Sequence, residues 1–271
     1  MVVDEKMIKE LMRCQQRGSL ASTEMEINKI EKIKVMATLI YKVERLKGCK
    51  RLRELVMIKT RIRDLSGLTS VCETLQVLCL GEQGLKSIDP AIGTMVNLRE
   101  LCLNNNSISK IENLSKLNKL KILWLHSNLI ERIDGACLTG LESVRQLWIQ
   151  ENRMVDLSGI EQMCGLEDLR VSGNPISDFK EILVCQNFFL SSPPFSPTRP
   201  FHLLFQSHTH NHQRLKGMNA LESVCFKDSF FSPCPIVDQN GYSVFVLQNL
   251  HQIVSLDGNP ITERDRTQIR V

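Results

Sequence analysis

Eight residues between Leu98 and Leu117 stand at a spacing that the chain begins again 22 residues later. Leu98, Leu101, Leu103, Asn106, Ile108, Ile111, Leu114 and Leu117 occupy offsets 0, 3, 5, 8, 10, 13, 16 and 19, and Leu120, Leu123, Leu125, Asn128, Ile130 and Ile133 restart the series. A fixed period of this length marks stacked repeats rather than a closed globule. Offsets 3 and 5 share one face of a short strand, because strand side chains alternate with period two. The Asn turns the chain and pairs its amide with backbone groups that would otherwise be buried alone. The later apolar residues fill the interior from the opposite side. One coil has no closed core, so each depends on its neighbours.

The template extends in both directions. Coils start at Ile30, Leu52, Leu75, Leu98, Leu120, Val144 and Leu166, with spacings of 22, 23, 23, 22, 24 and 22. The Asn offset holds Asn106, Asn128, Asn152 and Asn174, but Thr38, Thr60 and Gln83 in the first three coils, whose turns are expected to be less regular. The extra residues fall at Asp89–Met95 and Gly135–Leu141, on the side away from the strands. A coil is due near residue 188 and is absent; Leu221, Val224 and Phe226 resume the template instead. Residues 184–216 hold five of the ten Phe, four of the nine Pro and four of the six His, with neither helical nor strand periodicity. They read as an irregular insertion, such as an alternative exon or translated non-coding sequence would give. The division expected is an N-terminal helical cap at 1–29, seven repeats at 30–183, the insertion at 184–216, a last repeat with C-terminal cap at 217–262, and the start of a tail at 263–271. Within the first of these, Asp4 caps a short helix through Cys14 that covers the open end of the array.

This repeat resembles the leucine-rich repeat in its 22-residue form, the class that includes the regulatory subunit of protein phosphatase 1. The resemblance implies an α/β solenoid: a right-handed array with parallel strands on a concave face and a helical or irregular convex side. The segment from Asp228 to Ile261 resembles the C-terminal cap of such arrays, with Tyr242, Val246, Leu247, Leu250, Ile253, Leu256, Asp257 and Gly258 in its pattern. His251 stands where the cap usually has Pro. The family implies a non-catalytic scaffold or adaptor, some members serving ciliary, centrosomal or phosphatase-regulating assemblies. A ribonucleoprotein component of the A-prime type shares the architecture and gives the alternative, RNA binding.

Composition narrows the class. Apolar content of 42% and charged content of 24% suit a folded chain. No apolar run reaches the roughly 18 residues of a membrane helix, and MVVDEKMIKELMR lacks the basic start and long apolar core of a secretion signal. A soluble, cytoplasmic monomer is expected, with no membrane partner. The ten Cys are scattered without C-x-x-C pairs, as free thiols of a reducing compartment are.

Offsets 2, 4 and 6 point out of the core onto the concave face. Offset 4 reads Lys34, Val56, Cys79, Cys102, Trp124, Trp148, Arg170 and Cys225, so both tryptophans of the chain fall side by side. Offset 2 adds Glu100, Ile122, Gln146 and Asp168, and offset 6 adds His126. Trp and Arg dominate the residues that carry binding energy at interfaces, which makes Trp124, Trp148, Ile122, His126, Arg170, Glu100 and Gln146 the candidate contact for a protein partner. The plainer alternative is two rings that stack and stiffen the sheet. A second feature is charge: residues 29–64 hold twelve Lys/Arg against four acids, a local excess of +8 in a chain of +4. An acidic protein tail or RNA would be attracted there, although only Tyr41 supplies an aromatic for base stacking; a solvated basic surface is the plain reading.

Catalytic and cofactor signatures are missing. GEQGLKS at 81–87 has Leu85 where a phosphate loop needs Gly. His208, His210 and His212 alternate but sit in the insertion, without the fixed backbone that metal ligands need. No nucleophile elbow occurs. No enzyme, no cofactor and no resident metal are expected.

Overall fold

The computed structural model describes residues 2–3, 28–40, 42, 46–179, 181–182 and 218–268. The expected helix between Asp4 and Cys14, the insertion and its three histidines all lie outside the described residues. Within them runs one eleven-stranded sheet whose strands follow sequence order. β1 (Val2–Val3), β2 (Lys32–Met36), β3 (Glu54–Ile58), β4 (Val77–Cys79), β5 (Glu100–Cys102) and β6 (Ile122–Trp124) pair in parallel, as do β7 (Gln146–Trp148), β8 (Asp168–Arg170), β9 (Ser223–Cys225) and β10 (Ser255–Leu256). Only β11 (Asn259–Pro260) pairs antiparallel, on β10. Each coil therefore adds one strand, and the register matches residues of equal offset: Cys79, Cys102, Trp124, Trp148, Arg170 and Cys225 form one continuous rung series.

The interior is a column of aliphatic side chains. Leu101, Leu123, Leu147 and Leu169 at offset 3, with Leu103, Leu125, Ile149 and Val171 at offset 5, are at most 1% exposed. Each such side chain contributes about 1.5–3 kcal/mol by leaving water, but only once the next coil is in place. Between β2 and β8 the convex side carries, among the described residues, short 3-10 turns rather than α-helices, Ser66–Val71 being the longest. A 22-residue coil that must also form a strand and two corners leaves few residues for anything longer.

The corner after each strand shares a left-handed offset 7 in all seven coils, but the first two have Thr38 and Thr60 in place of the ladder amide. The second adds a further left-handed residue, Arg61. The less regular turns expected of the first three coils are therefore found in the first two, and only the third departs from that expectation. Offset 7 is left-handed throughout: Ala37, Lys59, Glu82, Asn105, Ser127 and Glu151 have φ between 52° and 56°, and Gly173 has 73°. Behind this corner runs an amide ladder. Asn128 Nδ2 donates to Leu103 O and Leu125 O, Asn152 Nδ2 to Leu125 O and Ile149 O, and Asn174 Nδ2 to Ile149 O and Val171 O. Their Oδ1 atoms accept from Ile108, Ile130 and Met154 N–H groups of the preceding coils. Gln83 does the same work two coils before Asn128, donating to Met57 O and Gly81 O and accepting from Thr60 Oγ1 and the Ile62 N–H.

The array ends in a helix, α1 (Tyr242–Asn249), which buries Tyr242, Val246 and Leu247 over the last coil. The Tyr242 hydroxyl donates to Asp257 Oδ2 at 3.1 Å, while Asp257 Oδ1 accepts from the Phe226 and Lys227 N–H groups. A last helix, α2 (Glu263–Gln268), is tied back by Arg266, whose guanidinium donates to His251 O and Ile253 O. No helix of the described residues is long and apolar enough to cross a membrane.

Candidate partner-binding face

All seven residues singled out from the sequence lie on the concave side of the sheet. Trp124 and Trp148, at paired positions of β6 and β7, stack with ring centroids 5.2 Å apart and planes 24° from parallel. Arg170, on the next rung of β8, places its guanidinium carbon 4.3 Å from the centre of the Trp148 ring. Glu100, Ile122 and Gln146 follow one another in register along the adjacent row, and His126 sits beyond the strand end at the rim. The indoles are half-buried rather than freely exposed, because each is flanked by a neighbour on its own row.

Asp168 organises this patch, and reading the strand rows alone did not single it out. Its Oδ2 accepts from Trp148 Nε1 at 3.0 Å and from Arg170 Nε at 3.2 Å, so one carboxylate fixes both the ring and the cation above it. Its position at offset 2, two residues before Arg170 and one rung beyond Trp148, was the available signal. Three polar atoms of the same neighbourhood, Trp124 Nε1, Gln150 Oε1 and Asp168 Oδ1, are buried without a hydrogen-bond partner among the described residues. Each such atom costs about 1–3 kcal/mol, and sites that tolerate the cost call for an explanation.

A loop after β9 closes one rim of the patch. The template places the last coil's turn at Ser229, but the chain from Lys227 to Pro233 loops out. Cys234 then takes over the ladder contact, its Sγ donating to Val171 O. Asp228 latches the loop: its carboxylate accepts from the Ser172 hydroxyl and from the Phe230 and Phe231 N–H groups. Phe231 thereby meets the His126 ring at 5.6 Å, and Phe230 stands 90% exposed beside it. Burial works against ionisation of Asp228, yet these donors hold its carboxyl below the usual range. The latch is therefore complete above the ordinary carboxylate pKa and is lost as pH falls through the lower folded value. Asp228→Ala should raise hydrogen exchange at the Phe230 and Phe231 amides while leaving exchange in β6 and β7 unchanged; unaltered loop protection would show that the carboxylate does not hold it.

On the other side of the tryptophans, Cys79 and Cys102 face each other across β4 and β5. A hydrogen bond from the Cys102 thiol outweighs the effect of burial and brings Cys79 down to about 7, while the Cys102 pKa goes up. Asn104 Oδ1, 2.5 Å from Cys102 Sγ, competes for the same proton. Burial raises Cys49 and Cys234 to about 11 and Cys225 to about 12. Because the thiolate is the nucleophile, iodoacetamide at pH 7 should modify Cys79 ahead of Cys49, Cys102, Cys225 and Cys234 in peptide mass mapping. The rate should rise through pH 7 and then level; equal labelling of Cys79 and Cys102 would contradict the pairing. Among the described residues no group of three or more His, Cys, Asp or Glu could hold a metal ion.

Comparison with known proteins agrees with this architecture. The family described as Leucine Rich repeats (2 copies) matches residues 96–138. The chain is similar to Dynein axonemal light chain 1 of Chlamydomonas reinhardtii, with 35% identity over 123 residues that cover 36% of this chain and 62% of that protein. The same light chain of Danio rerio is 36% identical over 64 residues, covering 24% of this chain and 33% of the relative. That of Xenopus laevis is 43% identical over 51 residues, covering 19% and 27%. The chain thus spans less than two thirds of the length of each of these three relatives. Among solved structures, an internalin C2 from Listeria monocytogenes superposes with a TM-score of 0.50 at 18% identity, over 65% of this chain and 86% of that one. This last likeness concerns the fold alone.

Proposed function

We propose that this leucine-rich repeat protein is a non-catalytic adaptor that holds a protein partner on its concave face, and that the partner belongs to an axonemal dynein assembly of the cilium. The observation that carries the binding site is the stack of Trp124 on Trp148 with Arg170 over the second ring. Aromatic and Arg side chains clustered in this way supply most of the energy at protein interfaces. The unpaired Trp124, Gln150 and Asp168 atoms beside them support the reading, since a partner chain can answer such groups. Ile122, His126, Glu100 and Gln146 complete the contact. The ciliary setting rests on the similarity to Dynein axonemal light chain 1 in three organisms. Within the repeat family we place the chain in the 22-residue class, monomeric, with a cap whose SFFSPCPI segment resembles that of leucine-rich repeat-containing protein 9. The test is affinity capture from a solubilised axonemal extract, comparing the natural chain with a variant carrying Trp124→Ala and Trp148→Ala. Recovery of dynein subunits with the first and not the second supports the reading; equal recovery, or none with either, rejects it.

A further inference from the structure

The edge of the sheet where the strands begin carries a second row, distinct from the tryptophan floor. Offset 1 reads Glu31, Arg53, Gln76, Arg99, Lys121 and Arg145 in successive coils. Its backbone is rigid: the carbonyls of Glu31, Arg53, Gln76, Arg99 and Lys121 each accept two N–H groups from the next coil. The cations are thus mounted on fixed rungs about 4.8 Å apart.

Over the first of these rungs opens a cleft of about 570 Å³ whose walls include Lys50, Arg51, Arg53, Arg99 and Lys119. Lys119 donates to Asn97 Oδ1 at 2.6 Å. The other four have no carboxylate partner among the described residues. The contrast with the concave face is direct, where Lys32 and Lys34 share Glu54 at 2.7 and 2.8 Å. Elsewhere on this edge Arg145 is paired with Glu167.

We infer that this cleft binds an extended acidic segment of a protein, rich in Glu or Asp. No aromatic ring lines it to stack a base, which disfavours a single-stranded nucleic acid. The amide of Gln76 on its wall suits a peptide group instead. Arg53 and Arg99 stand two rungs apart, about 9.6 Å by the strand spacing. Like-charged segments repel themselves into extended conformations, and a polyproline II strand repeats a side chain on one face about every 9.3 Å. Carboxylates at every third position of such a segment therefore meet both guanidinium groups in turn.

The test measures fluorescence anisotropy of a labelled ten-residue glutamate peptide with the full chain at low salt. Arg53→Glu with Arg99→Glu should weaken binding at least tenfold, Arg53→Gln with Arg99→Gln by a smaller factor, and Trp124→Ala with Trp148→Ala not at all. A ten-residue glutamine peptide should not bind. Thermal unfolding of each variant checks that the array is intact, and the milder Gln pair decides if the Glu pair is not. Equal affinity in the natural chain and the folded Arg variants overturns the inference. Tighter, cleft-dependent binding of a ten-nucleotide uridine RNA overturns it too, assigning the cleft to nucleic acid. Loss of glutamate binding in the tryptophan variant would likewise refute a separate site.

Discussion

Replacing Asn128 by Ala should lower the unfolding free energy of the central coils by about 3–5 kcal/mol. The side chain is 5% exposed, and its amide answers three interior backbone groups: Leu103 O at 3.0 Å, Leu125 O at 2.9 Å and the Ile108 N–H at 3.0 Å. Alanine supplies neither donor nor acceptor, and the surrounding Leu and Ile side chains exclude water. A group left alone in that setting costs about 1–3 kcal/mol, with some of the total recovered by relaxation. The loss should be local as well as large, because repeats couple mainly to their neighbours. Trp124 lies in the same coil as Asn128 and Trp148 in the next, so their fluorescence in a urea titration reads that region directly. A midpoint shift equivalent to less than about 1 kcal/mol would mean that the ladder is a by-product of the fold and not a support for it.

The same ladder shows what the sequence could and could not disclose. Offsets 3 and 5 fixed which residues face inward, since only one strand register buries Leu101, Leu123 and Leu147 together. The concave rows followed by alternation, and they place Trp124 beside Trp148 as the register requires. The corner was read from the Asn alone, and this misjudged the third coil, where Gln83 supplies the amide, while Thr38 and Thr60 do leave the first two coils without one. Ala37, Lys59 and Glu82 take the same left-handed φ as Asn105 and Ser127 because the backbone there is set by apolar anchors on both sides and by hydrogen bonds to the next coil. Gln83, one methylene longer than Asn, still reaches Met57 O. Tertiary pairing overrode local residue preference.

At the candidate site the limits have a different cause. A period shows which residues share a face but not how their side chains pair. The carboxylate of Asp168 between Trp148 and Arg170 depends on the rotamers of three side chains on two adjacent strands at once. The loop that brings Phe231 to His126 lies where the template breaks, between Phe226 and Cys234, so offset counting assigned nothing to it. The basic cleft sits at the opposite end of the strands and combines residues from four coils. The charge excess between residues 29 and 64 pointed toward it, but Arg99 and Lys119 lie outside that window.

The double variant Trp124→Ala and Trp148→Ala should weaken partner capture by two or more orders of magnitude while the array stays folded. Truncating a well-packed interface tryptophan costs about 2–4 kcal/mol, and each 1.4 kcal/mol is about a factor of ten in affinity. In this patch the loss would be compounded, because removing the Trp148 ring also takes away the surface under Arg170 and the donor to Asp168. Folding should be affected far less. Both indoles lie on the half-open concave face, whereas the column beneath them, Leu123, Leu125, Leu147 and Ile149, is fully buried and untouched. The competing account, two rings that only stiffen the sheet, makes the opposite forecast: a lower melting temperature and unchanged capture. Trp124→Phe with Trp148→Phe sharpens the choice, since it keeps aromatic stacking but removes both indole N–H groups. If recognition uses those groups, the Phe pair should fall between the natural chain and the Ala pair in capture while matching the natural chain in stability. Full capture by the Ala pair would remove the concave face from the binding surface.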